Sequence, residues 1–226
     1  MSARKPNRCA APNRSYPAEE RSLSSQDVSQ RLIISYVLDL PFGHGRRFLS
    51  SASGAVDQVV GGWGIDGITS FQRGFPLKIS WAGTSTPLEN ASLGTGGIRP
   101  NVVAGCDKSA NGKNITHWFN TDCFSAPPAW GYGTEARVDP SLRQPGINNF
   151  DFAIFKRFVF DERYGLEFRT EFFDLFNHPQ FGPPGTGFNP TTDSSGTVNT
   201  AANGFGTITS TINNPRLIQF ALKFQF

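Results

Sequence analysis

The chain has no apolar run of about 18 residues, so no segment reads as a transmembrane helix. Nor does it have a Lys/Arg run longer than two, and its 21 basic and 18 acidic residues, net +3, are scattered. A nucleic-acid surface needs a concentrated basic stripe or a recognisable module, and no nucleic-acid partner is expected. The basic N-terminus, M-S-A-R-K-P-N-R, lacks the apolar stretch of a secretory signal as it stands. Either the protein stays in the cytoplasm or the chain is a piece of something longer. His44, His117 and His178 lie in three separate loop-like regions without the close pair typical of a metal site. Asp107, Ser109, Asn111 and Gly112 resemble the start of a calcium loop, but Trp118 stands where a bidentate Glu belongs. A polar turn is the reading there. The glycines around 43–45 lack the strand-turn-helix context of a phosphate loop, and no nucleophile set stands out. No enzyme, metal or cofactor is expected.

What the sequence does hold is aromatic and turn-rich: 21 Phe, 24 Gly and 16 Pro among 226 residues, with a single Met. That balance favours strands and turns over helices, and the expected fold is all-β. Period-two alternation marks six strands. In 31–41, Leu32, Ile34, Tyr36, Leu38 and Leu40 share a face opposite Arg31, Ser35 and Asp39. In 62–73, Trp63, Ile65 and Phe71 oppose Asp66, Ser70 and Gln72; in 76–82, Leu77, Ile79 and Trp81 oppose Lys78 and Ser80. In 148–160, Phe150, Phe152, Ile154, Phe158 and Phe160 oppose Asn149, Asp151 and Arg157, with Lys156 breaking the pattern. In 163–177, Tyr164, Leu166, Phe168, Phe172 and Phe176 oppose Glu167, Arg169 and Glu171. The last, 215–226, sets Ile218, Phe220, Leu222, Phe224 and Phe226 against Gln219, Lys223 and Gln225.

The links between these strands run long, short, long, short, long: 42–61, a Gly-Phe turn near 74, 83–147, an Asp-Glu turn at 161–162, and 178–214. In an up-and-down meander this puts every long loop at one end. Long strands, one apolar face rich in Phe, Leu, Ile and Trp, and one-sided loop lengths together describe a transmembrane β-barrel with outer-membrane lipid around it. A soluble β-sandwich that binds carbohydrate is the rival reading, with its Phe faces converging in one core. A non-transporting outer-membrane adhesin barrel is another. Six strands cannot close a spanning barrel, which implies a C-terminal portion of a larger barrel over 31–226, preceded by a connecting or disordered segment over 1–30 and a truncated or misassigned start at Met1. The long loops are expected outside the cell and the short turns in the periplasm, with 31–41 and 215–226 as the open edges.

On this reading Arg157, Glu167, Arg169, Glu171, Gln219 and Lys223 line the lumen, either as a cross-strand charge ladder or as contacts to a plug or passing ligand. Cys106 and Cys123, 17 apart in the longest loop, form a disulfide if the region is exported and are two free thiols otherwise. Trp118, Trp130 and Tyr132, with Phe124, either touch an extracellular ligand or pack the loop against itself. Phe226 falls in the aromatic girdle of such a barrel.

Several stretches carry a resemblance: R-L-I-I-S-Y-V-L-D-L-P-F-G (31–43), V-G-G-W-G-I-D-G-I-T-S-F-Q-R-G-F-P-L (60–77), R-P-N-V-V (99–103), W-F-N-T-D-C-F (118–124), F-R-T-E-F-F-D-L-F-N-H-P-Q-F-G (168–182) and F-G-T-I-T-S-T (205–211). From about residue 20 onward the chain resembles the barrel region of TonB-dependent outer-membrane receptors, within them the Oar-like proteins with an N-terminal carboxypeptidase-regulatory-like domain. The resemblance implies a barrel of 22 strands around a plug, importing an unknown ligand with energy from the TonB complex. It also implies that Phe226 is a C-terminal signal read by the barrel-assembly machinery, and that this chain, lacking plug and most strands, does not transport alone.

Overall fold

A computed structural model describes residues 21–83, 97–160 and 164–226. Most of the expected connecting segment, residues 1–20, and the Asp161-Glu162 turn lie outside the described residues. The chain divides into two compact units.

The first to consider (29–73, 146–180 and 211–226) is an antiparallel sheet of five strands in sequence order: β1 Arg31–Asp39, β2 Trp63–Gln72, β3 Ile147–Val159, β4 Gly165–Phe173 and β5 Leu217–Gln225. β1 and β5 are its edges, as expected, and the sheet is open. Cross-strand partners lie on the same face, so the register sorts the side chains. Leu32 opposite Phe71, Thr69 opposite Phe150, Phe152 opposite Phe172 and Phe168 opposite Leu222 build one apolar face. Asp66 opposite Ala153, Arg157 opposite Glu167 and Glu171 opposite Gln219 build the polar one.

Two glycines of β2 receive aromatic rings from its neighbours. Phe155 of β3 lies over Gly64 on the polar face, and Tyr36 of β1 lies over Gly67 on the apolar face; any Cβ at either position would collide with the ring. β4 ends where Asp174 and Asn177 turn the chain at φ 54° and 51°, a backbone state that Asp and Asn tolerate better than other side chains.

The apolar face carries exposed Leu32, Leu38, Phe168, Phe220 and Leu222, the last two 68% and 67% exposed. A β-sandwich would bury such a face under a second sheet; the rival reading therefore loses its core.

The segment 76–82 corrects the expectation of six strands. Its alternation is real, but Leu77 and Ile79 are buried in the other unit, and the segment pairs there instead of in the sheet: Ser80–Trp81 in parallel with Gly187–Phe188, and Pro76 in a single antiparallel bridge with Arg143. Alternation alone does not distinguish a spanning strand from an extended segment packed into a loop core. Nor is there a tight turn at 74, because the chain leaves β2 for the long excursion to β3. One strand fewer inverts the parity. Residues 73–146 and 174–216 both connect at one end of the sheet, whereas 40–62, with α1 (Ala55–Val60), and 160–164 connect at the other. The expectation that 42–61 shares an end with the other long links is overturned.

The second unit gathers the described residues of 74–145 and 181–210 with residues 21–28. Its core is Leu77, Ile79, Phe119, Cys123, Phe124, Leu142, Phe188 and Phe205. The rings of Phe119 and Phe205, and of Phe188 and Phe205, are edge-to-face at 5.0 Å between centroids, a favoured aromatic geometry. A disulfide joins Cys106 to Cys123 across 5.5 Å between Cα atoms. The two longest links thus fold into a body with its own core.

Candidate functional site

The polar face of the sheet holds two ion-pair clusters. Nearer the ends of β1 and β3, Arg157 donates from Nε to Glu167 at 3.0 Å and approaches Asp39 at 3.5 Å. In mid-sheet, Arg169 grips Asp66 with both terminal nitrogens at 2.7 Å and donates from Nε to Glu171 at 2.6 Å. A two-pronged guanidinium–carboxylate pair fixes geometry as well as charge. Between the clusters lies Phe155, 2% exposed, with the Arg157 and Arg169 guanidinium carbons 4.5 and 5.8 Å from its ring centre. Two cations thus cover an aromatic ring that alternation places on the wet face.

Of the residues expected in the lumen, the structure brings Arg157, Glu167, Arg169 and Glu171 into these clusters. Gln219 and Lys223 stand opposite Glu171 and Glu167 in the register, yet neither has an ion pair or hydrogen bond among the described residues. Asp39 and Asp66 complete the clusters. Their alternation put both on polar faces, but only the cross-strand register shows that they meet an arginine. Lys156, which broke the pattern, sits on the apolar face opposite Trp63; its ammonium reaches past the strand end to the Gly61 carbonyl and lies 5.6 and 5.0 Å from the rings of Trp63 and Phe158.

Replacing Arg169 by Met should cost about 2 kcal/mol, below the loss for a fully buried pair because its side chain keeps 29% exposure. Lys at 169 should recover only part of it, lacking the fork. Thermal unfolding in detergent, followed by migration of unboiled samples, measures the difference; equal midpoints for Met and wild type would remove the cluster from the stability account.

In the loop unit, Lys108 is clamped by two carboxylates with no side-chain exposure, Glu135 at 3.0 Å and Asp139. Asp139 also accepts from the Ser141 amide and hydroxyl at 2.7 and 2.6 Å, while Glu135 Oε1 is buried with no hydrogen-bond partner among the described residues. Burial, then the Asp139 charge, pushes the Glu135 carboxyl up to about 7. For Asp139 burial acts upward, but Lys108 and Ser141 outweigh it and hold its pKa below the usual value. A raised carboxyl keeps a proton in the folded state that the unfolded chain releases. Its stabilisation is complete below the unfolded value near 4.5 and disappears as pH rises through about 7. Unit stability should therefore fall by up to about 1.4 kcal/mol per pH unit across that window. Glu135→Gln should flatten the slope, read from urea midpoints by tryptophan fluorescence at several pH values.

Trp118 and Phe124 serve packing: the Trp118 indole donates to the Arg143 carbonyl at 2.7 Å under the Lys113 ammonium, and Phe124 is in the core. Tyr132 is half-buried, whereas Trp130 is 71% exposed and free to meet a ligand. Asp107 makes a local turn, accepting from the Ser109 amide at 2.9 Å. Phe226, 95% exposed, stacks beside Phe224 at 6.2 Å.

An antiparallel meander with one exposed, Phe-rich face and one face of paired charges has the two-faced pattern of a membrane-barrel wall. The family comparison agrees with that class. The chain belongs to the outer membrane beta barrel domain family, whose family model matches residues 2–219. No curated protein and no solved structure matches it. The protein is accordingly an outer-membrane barrel protein.

Proposed function

We propose that the chain is part of the barrel of a TonB-dependent outer-membrane transporter, working in energised uptake of a ligand together with a plug, further strands and the TonB complex. The observation that carries this reading is a five-stranded wall with a charge-networked face whose two longest connections fold into a body of their own. Five strands are too few to close a spanning barrel, so the reading requires further strands to complete the wall. Residues 74–145 and 181–210 then face the exterior, where oxidation supports the Cys106–Cys123 bridge, and 40–62 and 160–164 face the periplasm. The barrel-assembly machinery inserts the protein.

Outer-membrane fractionation and heat-modifiable migration test the barrel. Ligand-dependent growth that disappears when TonB is deleted tests the transport. For sidedness, cysteines introduced at Ser51 and Ser195 should differ: an impermeant maleimide on intact cells labels position 195 and leaves 51 unlabelled until the outer membrane is opened. The adhesin reading is favoured by the independently cored loop unit with Trp130 exposed. It predicts surface binding that persists without TonB.

A further inference from the structure

At the end of the sheet opposite the long connections, residues 40–62 form a small folded device. The Phe48 amide donates to the Pro41 carbonyl at 3.0 Å and the Gly43 amide to the Phe48 carbonyl at 3.1 Å, closing a loop with the Phe42 and Phe48 rings 5.7 Å apart. Gly43, at φ +112°, lies so close to Gly61 that no side chain fits between them. Beside this contact the Asp57 carboxylate accepts from the His44 amide at 2.6 Å. A cavity of about 160 Å³ opens here, lined in part by His44, Arg46, Asp57, Gly61, Lys156 and Arg157.

The charges there are unequal. Arg157 is engaged by Asp39 and Glu167, and Asp57 is the carboxylate that acts on Lys156. Arg46 and Arg47 are exposed and have no carboxylate partner among the described residues. Lys156 has three N–H donors, one of them taken by the Gly61 carbonyl. Segment 40–62 also carries exposed apolar side chains: Phe48, Leu49, Val56 and Val59. The Trp63 indole, on the lipid-facing side of the sheet, donates to the Val59 carbonyl at 2.9 Å, so α1 is tied to the apolar face at the first rung of β2. Basic and apolar side chains mixed at the end of a lipid-facing wall match the interface between acyl chains and headgroups.

We propose that residues 40–62, together with Lys156, bind an anionic phospholipid, its phosphate in the cavity against Arg46 and Lys156 and its acyl chains along Val56, Val59 and Trp63. The assignment rests on the periplasmic placement of this end, where the leaflet is phospholipid. Charge complementarity and continuity with the lipid-facing sheet select this occupant over a protein partner.

The test uses the full-length protein in detergent micelles, given phosphatidylglycerol or phosphatidylcholine and weighed by native mass spectrometry. Phosphatidylglycerol should be retained roughly tenfold better, and the preference should vanish in Arg46→Gln/Arg47→Gln. Both arginines are exposed, so the variant should keep heat-modifiable migration. Equal retention of the two lipids, an unchanged preference in the variant, or displacement of the lipid by inorganic phosphate at millimolar concentration would each overturn the proposal. Growth that is independent of TonB would sink the transport reading and leave this result standing.

Discussion

Phe119→Ala should unfold the loop unit and spare the sheet. The ring is fully buried, with Phe205 edge-on at 5.0 Å and Phe124 at 5.9 Å. Truncating a buried Phe costs about 3–5 kcal/mol, the lost transfer energy plus the cavity left behind. A body built from two loop segments has little stability to lose, so the substitution removes most of it. Trypsin should then cut at Lys108, Lys113 and Arg137 faster than in the wild type. Heat-modifiable migration, which reports the strand wall, should persist. Phe119→Leu should restore roughly half of the protease resistance, since most of the volume returns. If the Ala variant resists trypsin as well as the wild type, the loop segments do not form the independent core described.

Opening the disulfide should have the next largest effect. Its closed loop of 17 residues is worth about 3 kcal/mol in the chain-entropy model. Cys123 is fully buried beside Phe119 and Phe124, so Ala at both positions tests the bond without burying a hydroxyl. Cys106→Ala/Cys123→Ala and reduced wild type should both unfold their loop unit at lower urea, by similar amounts. Both treatments remove the cross-link, one leaving two thiols and the other two methyl groups; a midpoint shift in one alone would point to packing instead of the bond. A thiol-alkylation count on protein taken directly from the outer membrane should find Cys106 and Cys123 protected.

The faces of β1 to β5 were readable because alternation in Leu32 to Leu38 or Leu166 to Phe172 has only one physical meaning when one side must be apolar. Segment 76–82 shows where that reading stops. Leu77 and Ile79 alternate with Lys78 and Ser80 as a spanning strand would, but their apolar side meets Phe188 and Phe205 in the loop core, and nothing local to the sequence says so. The error propagated, because topology counts strands: removing one moved 40–62 to the other end. At the site, Arg157, Glu167, Arg169 and Glu171 were visible from alternation, whereas Asp39 and Asp66 needed register to join them. Phe155 was passed over for a similar reason. A Phe on the wet face looks like noise until Gly64 beneath it and two guanidinium groups above it are seen together.

Gly64 and Gly67 have a further consequence for assembly. Alternation distinguishes a strand from its neighbour shifted by one residue, because that slip exchanges the faces. It is blind to a slip of two, which restores them, and a wall inserting into lipid offers many such near-equivalent alignments. The glycines remove the ambiguity like wards in a lock. With β2 displaced by two, Asp66 comes beneath the Phe155 ring, or Ile65 or Thr69 comes beneath Tyr36, and each brings a Cβ where the ring already lies. The strand that appears weakest by composition is thereby the one that sets the alignment of its neighbours.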